Sequence, residues 1–169
     1  MKHPEIYPVQ MNEKVAYLTW LYKKVWPRLL LWVEQSNTPS TIHNYVYTNG
    51  KNQPQEILQA IREGHSFISN GPLVTAEVNG ASYGEKAVLK DRTGTLSVHV
   101  FSKKPINHLW MYTGADKKVE LCAKADAAEG GFTYDIAADE FDFGDAAWAL
   151  FVADGGENNL AISNPILFA

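Results

Sequence analysis

The side chains that most often bind metal ions or transfer protons are thinly spread along this chain. Its five histidines lack the close spacing that lets imidazole groups share one cation: His3, His43, His65, His99 and His108. His43 and His65 flank one stretch of regular structure, so folding could bring them together, but two histidines do not make a metal site. His99 alternates with Val98 and Val100, and we expect it to face solvent or a second layer. The sequence therefore predicts no metal site, no cofactor and no catalytic residue.

The S-N-G-P turn at residues 69–72 is a second candidate for chemistry. Successive backbone amides in such a turn, together with the side chain of Asn70, can form a concave site for an anion. An Asn-Gly pair also bends the chain between two strands, and this structural role is the expected one. We retain Asn70 and Gly71, with His43 and His65, as candidate binding residues.

Four acidic residues lie close together before the last predicted strands: Asp139, Glu140, Asp142 and Asp145. Carboxylate oxygens are the donors that calcium prefers, but this spacing lacks the ligand rhythm of a calcium loop. We expect a solvated turn ahead of the strand that begins at Trp148.

Five aromatic residues could line a sugar-binding face: Trp110, Tyr112, Phe132, Tyr134 and Trp148. Aromatic side chains also fill the cores of β-sandwiches, because each buries a large apolar area. A place in the core is the expected role.

The elements that must position these groups begin with a strand, a helix and a strand over residues 45–72. Pro54 suits the first turn of the helix, because its missing N–H would be unpaired there in any case. Gly64 ends the helix by offering an unstrained left-handed backbone. Between them, Ile57, Leu58 and Ile61 are predicted to form one apolar face.

Downstream of residue 72 the sequence predicts short strands separated by turns. Apolar and polar residues alternate over residues 74–79 and 96–100, and a hairpin turn is expected at residues 114–117. A polar, alanine-rich loop is expected over residues 124–131. Further strands are predicted at residues 107–113, 118–123, 132–136, 148–153, 160–163 and 166–168. About seven short strands without intervening helices indicate an immunoglobulin-like antiparallel β-sandwich.

The first forty residues differ in character from the rest. Residues 13–26 place Val15, Leu18, Tyr22 and Val25 on one stripe of a predicted helix, which Pro27 ends or kinks. The apolar run at residues 29–33 is too short to cross a bilayer, and no signal peptide is predicted, so a cytoplasmic location is favoured. We expect this segment to pack on the rest of the chain, on a second copy in a homodimer, or on a separate barrel-domain chain. Amphipathic adhesion to a membrane surface stays an open alternative.

Two sequence motifs lie after this segment, one near the start of the remaining sequence and one near its end. The first reads E-I-L-Q-A-I-R-E-G, then S-N-G-P-L, then V-N-G over residues 56–80, and the second reads A-I-S-N-P-I over residues 161–166. They resemble the segment that follows the catalytic barrel in PHP-type metallophosphoesterases of the CehA/McbA family, and that family's terminal A-I-T-N-P-I. The resemblance covers roughly residues 45–169. It implies the β-rich portion of such a protein that does not carry out the chemistry.

The resemblance also implies where metal ligands would be expected. The last strand of the family's barrel would align with residues 28–38, but the Asp and His that serve there as ligands have no counterpart in this segment. An H-x-H pair is also missing from the sequence, and a di- or trinuclear phosphoesterase site needs several such donors at once.

The composition of the chain limits the classes of function and the covalent links that are possible. A formal net charge of −4 argues against a nucleic-acid surface, which needs a basic stripe. The single cysteine, Cys122, excludes an internal disulfide. We divide the chain into a helical segment (1–44), a strand-helix-strand lead-in (45–72) and a β-sandwich domain (73–169).

The preferred functional hypothesis is a non-catalytic accessory or binding module related to the C-terminal part of PHP-like metal-dependent phosphoesterases. One alternative is a fragment or subunit of an active metal-dependent phosphoesterase. A second alternative is a carbohydrate-binding β-sandwich.

Overall fold

The computed structural model describes residues 43–48, 50, 53–114, 117–121, 126–128, 130–156 and 159–169. Over these residues the chain is mainly β, with one helix. The elements are, in chain order, β1 (His43–Val46), α1 (Pro54–Glu63), β2 (Ser66–Ser69), β3 (Leu73–Val78), β4 (Lys86–Ala87), β5 (Thr93–Ser102), β6 (His108–Thr113), β7 (Lys118–Glu120), β8 (Asp126–Ala128), β9 (Gly131–Asp142), β10 (Trp148–Asp154), β11 (Leu160–Ser163) and β12 (Ile166–Phe168).

The larger sheet has eight strands and is built around β10. One edge of β10 pairs with β6, and the other edge pairs with β12 at the start of β10 and with β11 at its end. Beyond β11 lie β2 and β1, β7 lies beyond β6, and β4 lies beside β12. The β12–β4 pair is parallel, so the prediction of a wholly antiparallel sandwich is wrong at this pair.

The smaller sheet has four strands in the order β3-β5-β9-β8, all antiparallel. The predicted alternation in β3 is confirmed, because Val74, Ala76 and Val78 are all buried. They share one apolar core with Met111 and Phe151 of the larger sheet. The two sheets therefore stack face to face, as a sandwich requires.

Strand β10 is apolar on both faces. Its residues Ala149, Phe151 and Ala153 belong to the core between the sheets, whereas Leu150 and Val152 belong to a second apolar cluster on the opposite face. A continuous apolar run of this length is the expected sequence signature of a strand buried on both sides.

The predicted helix is confirmed, from Pro54 in its first turn to Gly64, which ends it with φ 82°. The prediction of its apolar face is wrong at Leu58, which is 51% exposed, while Ala60 is buried. Successive helical residues are about 100° apart around the axis, so Leu58 turns away from the side that Ile57 and Ile61 share.

The strand-helix-strand lead-in belongs to the larger sheet, because β2 pairs with β11. The boundary drawn between residues 44 and 45 falls inside β1.

Two further predictions are wrong in the second half of the chain. Asp139, Glu140 and Asp142 lie on β9 rather than in a turn, because β9 continues as far as Asp142 in its pairing with β5. The predicted exposed turn is confirmed only at Asp145. Residues 126–128, predicted as loop, form β8, which pairs with the start of β9. Backbone pairing with a neighbouring strand overrides the weak strand preference of alanine and aspartate.

The predicted helix at residues 13–26, the apolar run at 29–33 and Cys122 lie outside the described residues. Within the described part of the chain, no helix has the length and apolar character needed to cross a membrane.

Candidate functional site

His43 and His65 lie at opposite ends of the β1–β2 pair. His43 is opposite Ser69, whereas the backbone N–H of Tyr47 donates to the carbonyl of His65 at 2.8 Å. Four residues of extended strand separate these positions by about 13 Å. The fold therefore does not bring the two histidines into a common site.

Asn70 and Gly71 are engaged in hydrogen bonds within the chain. The backbone N–H of Leu160 donates to Oδ1 of Asn70 at 2.6 Å, and the N–H of Asn70 donates to the Leu160 carbonyl at 3.0 Å. The N–H of Gly71 donates to Oγ of Ser69 at 2.9 Å. These groups hold the S-N-G-P turn against β11, and a binding role for Asn70 and Gly71 stays a prediction.

Gly71 also lies where a larger residue would not fit. A Cβ at this position would collide with Oδ1 of Asn159. Asn159 is buried, and its Nδ2 donates to the Pro105 carbonyl at 3.2 Å, while its Oδ1 accepts from the Ser102 hydroxyl at 3.3 Å. The turn is therefore packed directly onto a buried polar contact between the two sheets.

Asn164, in the second motif, also connects two neighbouring parts of the fold. This buried side chain donates from Nδ2 to the carbonyl of Ser66 at 3.1 Å and to its Oγ at 2.9 Å. Since β2 and β11 are neighbours, the two motifs that carry the family resemblance lie side by side. Asn70 and Asn164 form hydrogen bonds with backbone and hydroxyl groups of the neighbouring strand.

A group of exposed and half-buried side chains lies at the other border of the larger sheet, on β6 and β7. We call His108, Trp110, Tyr112, Lys118 and Glu120 the edge patch. Trp110 is opposite Glu120, and Tyr112 is opposite Lys118. Residues at every second position of a strand share a face, so all five side chains lie on the face away from the core.

The edge patch is ordered by contacts among its own members. His108 Nδ1 lies 2.7 Å from Glu120 Oε1, and the His108 ring stacks on Trp110 with centroids 4.9 Å apart. Lys118 Nζ lies 3.4 Å from the centre of the Trp110 ring, which is cation–π geometry. The His108 and Glu120 side chains remain 46% and 40% exposed, so a ligand in solution can reach them.

Burial and the negative charge of Asp154 raise the pKa of Tyr112. A phenol is protonated at neutral pH even at its ordinary pKa, so the Tyr112 hydroxyl can donate a hydrogen bond.

A pocket of about 120 Å³ adjoins the edge patch at the start of β6. Its lining combines apolar walls with an imidazole, a carboxylate and an amide: Ile106, Asn107, His108, Leu109, Glu120, Leu121 and Tyr134. The Tyr134 hydroxyl accepts a hydrogen bond from the Ile106 N–H at 2.9 Å, which fixes the pocket wall.

The aromatic residues singled out from the sequence do not line one face. Tyr134 is buried in the core and Phe132 packs against it, as expected. Trp110 and Tyr112 are half-buried on the outer face of the larger sheet, so for them the core prediction is wrong. Trp148 lies on the same face but is buried in the second apolar cluster. The sequence did contain a signal for the edge patch. When the predicted hairpin pairs residues 107–113 with residues 118–123, Lys118 and Glu120 lie beside the aromatic residues of β6.

Three further ion pairs lie among the described residues. Arg92 contacts Asp145 at 2.7 Å, His65 Nδ1 lies 3.8 Å from Glu63 Oε2, and the exposed His99 contacts Asp135, in keeping with its predicted outward direction. Among the residues that the structure describes, no three or more His, Cys, Asp or Glu side chains are grouped so that they could hold a metal ion.

Comparisons of this chain with protein-family models, with curated proteins and with solved structures found no match in any of the three.

Proposed function

We propose that this chain is a non-catalytic accessory or binding module, related to the C-terminal part of PHP-like metal-dependent phosphoesterases and built on an immunoglobulin-like sandwich. The observation that carries the proposal is the edge patch, in which Trp110 is held between His108 and Lys118 on an accessible border of a sheet. Preorganised aromatic and charged side chains of this kind lower the entropy lost when a ligand binds.

The roles of the motif residues support a scaffold rather than a reaction centre. Asn70 and Asn164 bind backbone groups of neighbouring strands, and Gly71 provides close packing. Residues used in this way stabilise the sandwich on which the edge patch is presented.

The dimensions of the site favour a ligand that lies across the surface. The adjoining pocket, at about 120 Å³, is smaller than the roughly 300 Å³ at which pockets begin to enclose a drug-sized molecule. The patch combines a lysine, a carboxylate and an imidazole, so it suits a polar partner of mixed or no net charge, such as the surface of a separate barrel-domain chain.

Metal content and phosphodiester hydrolysis test the non-catalytic part of the proposal. The purified full chain is expected to contain no stoichiometric transition metal and to leave bis(p-nitrophenyl) phosphate unhydrolysed when Mn²⁺ or Zn²⁺ is added. Turnover that a chelator abolishes and metal restores would favour the alternative of an active phosphoesterase subunit.

Carbohydrate binding is a second candidate, favoured by the position of Trp110 and Tyr112 on the outer face rather than in the core. Aromatic rings on a sheet face can stack on sugar rings, and the neighbouring His108 and Glu120 can bond to hydroxyl groups. In this structure Lys118 covers the Trp110 ring, so a sugar would have to displace it.

Affinity electrophoresis in gels containing xylan, laminarin or hydroxyethylcellulose tests this candidate. Retardation of the full chain that is lost in Trp110→Ala but kept in Val88→Ala would support it, because Val88 is 72% exposed and lies outside the patch. Unchanged mobility in all three gels would leave the protein-partner proposal as the better one.

A further inference from the structure

The Lys118 ammonium group lies between two aromatic rings of the edge patch. Its Nζ is 3.4 Å from the centre of the Trp110 ring and 5.6 Å from the centre of the Tyr112 ring. Trp110 and Tyr112 are two residues apart on β6, so their side chains stand on the same face, roughly 7 Å from each other. The space between these two rings, which we call the aromatic cleft, therefore accommodates a cationic group.

The two faces of the Trp110 ring have different partners. His108, two residues before it on β6, stacks on one face with the ring planes 24° apart. Lys118 is opposite Tyr112 in the β6–β7 pair, so its ammonium approaches the other face. His108 is also held by Glu120, whereas Lys118 forms no ion pair within the described part of the chain. Of the two contacts on the Trp110 ring, that of Lys118 is therefore the one that a ligand can displace.

The lysine contact is weak as well as reversible. Lys118 is exposed, and a long lysine side chain loses rotamer freedom when it is held in one position. An ammonium group is also strongly hydrated, so it loses favourable contacts with water when it approaches a ring. A ligand cation that is less strongly hydrated, and that gains hydrogen bonds at the same place, will replace it.

An arginine side chain meets both conditions. Its guanidinium group is planar, is more weakly hydrated than an ammonium group and stacks on aromatic faces. Glu120 is directly opposite Trp110, and its side chain is 40% exposed. A guanidinium group that lies on the Trp110 ring can therefore donate to the Glu120 carboxylate, which accepts more hydrogen bonds than the one that His108 supplies. The formal net charge of −4 also favours the approach of a cationic group.

We infer that the edge patch binds an exposed arginine of a protein partner, whose guanidinium group takes the place of the Lys118 ammonium in the aromatic cleft. The inference rests on the proposed binding role of the edge patch, and it names the chemical group that is recognised there.

NMR titration of the full chain with three short peptides tests the inference. The probes are acetyl-Gly-Xaa-Gly-amide peptides in which Xaa is arginine, lysine or citrulline, which has the shape of arginine without its charge. The arginine peptide is expected to shift the Trp110 indole N–H signal and to bind severalfold more tightly than the lysine peptide, whereas the citrulline peptide should cause no shift. Nuclear Overhauser effects should connect the arginine methylene protons with ring protons of Trp110 and Tyr112.

Removing Lys118 should strengthen the binding of the arginine peptide. If the lysine contact has the strength of other exposed cation–π contacts, Lys118→Ala should lower the apparent dissociation constant about three- to sixfold, because the aromatic cleft no longer has to be vacated. The matched control is Lys117→Ala, which removes the same charge from the preceding exposed residue and should change the affinity less than about twofold. Glu120→Gln should weaken binding of the arginine peptide severalfold.

The inference is overturned if the wild type and Lys118→Ala bind neither charged peptide, or if they bind the arginine and citrulline peptides equally well. It is also overturned if Lys118→Ala and Lys117→Ala change the affinity alike, or if the nuclear Overhauser effects lead to residues outside the edge patch. None of these results bears on the non-catalytic part of the proposed function, which metal content and phosphodiester hydrolysis decide separately.

Discussion

The side chain of Asn70 accepts a hydrogen bond from the backbone N–H of Leu160 at 2.6 Å, although ninety residues separate the two positions in sequence. Asn70 follows β2 and Leu160 begins β11, so this bond closes the end of the β2–β11 ladder. A residue first considered for binding thus has a definite structural partner.

Replacing Asn70 tests the importance of that bond. Asn70→Ala leaves the Leu160 N–H without its acceptor, which should lower the free energy of unfolding by about 1–3 kcal/mol. Asn70→Asp keeps a side-chain oxygen acceptor and should cost less. Urea unfolding measures the effect, and Asn44→Ala, at an exposed position on β1, serves as control with an expected change within about 0.5 kcal/mol. Equal stability of the Ala variants at positions 70 and 44 would contradict the assignment.

Gly71→Ala should destabilise the fold by about 1–3 kcal/mol, because the added methyl group overpacks against Asn159. A double-mutant cycle with Asn159→Ala separates this collision from other effects. If the collision is the cause, the double variant loses less stability than the sum of the single variants, as measured by thermal and urea unfolding. Simple additivity would show that the strain arises elsewhere.

Because of the buried Tyr83 side chain, the protein should lose stability at alkaline pH. Its side chain is 1% exposed, its hydroxyl donates to the Val74 carbonyl at 3.1 Å, and burial raises the pKa of the phenol well above its usual value. The folded state therefore holds this proton at a pH where the unfolded chain releases it. The contribution of the Tyr83 proton to the free energy of unfolding is fully present below about pH 10. It declines as the pH rises towards the pKa of the folded state, by at most about 1.4 kcal/mol per pH unit.

Tyr83→Phe should remove this part of the pH dependence and cost about 1 kcal/mol at neutral pH through the lost hydrogen bond. Urea unfolding from pH 8 to pH 11 measures both effects. Tyr112→Phe is the comparison variant, and it should remove a smaller part of the slope because Tyr112 is only half-buried. An unchanged slope in Tyr83→Phe would refute the prediction.

The contact between Lys118 and Trp110 should contribute a measurable but small coupling energy. A double-mutant cycle with Lys118→Met and Trp110→Leu is expected to give about 0.5–1 kcal/mol, as at other exposed cation–π contacts. Lys118→Met retains most of the aliphatic stem, so the cycle reports mainly on the charge. A cycle with Lys86→Met in place of Lys118→Met provides the control, since Lys86 lies on β4 away from the patch, and it should give no coupling.

Several elements were predictable because their signals are local. Pro54 and Gly64 mark the ends of α1 through their own backbone preferences, and the strand periodicity of Val74, Ala76 and Val78 follows from one buried face. The extension of β9 through Asp139 and Glu140 was not predictable in this way, because it depends on pairing with β5 rather than on the residues themselves.

The candidate site also combines features that the sequence predicted with features that depend on the fold. The sequence identified Asn70 and Gly71 correctly as a turn. It could not show that Asn70 forms a hydrogen bond with Leu160 or that Gly71 packs against Asn159. It grouped five aromatic residues that the fold separates, with Tyr134 in the core and Trp110 on the opposite face of the neighbouring sheet.

By itself, the sequence determined where the described helix begins and ends and where most strands lie. The tertiary structure alone decided which strands are neighbours, and so which distant side chains meet. Hydrophobic periodicity assigns a residue to a face, but it carries no information about the partner strand. Pairing depends on long-range backbone hydrogen bonds and on the packing of both sheet faces, which exist only in the folded chain.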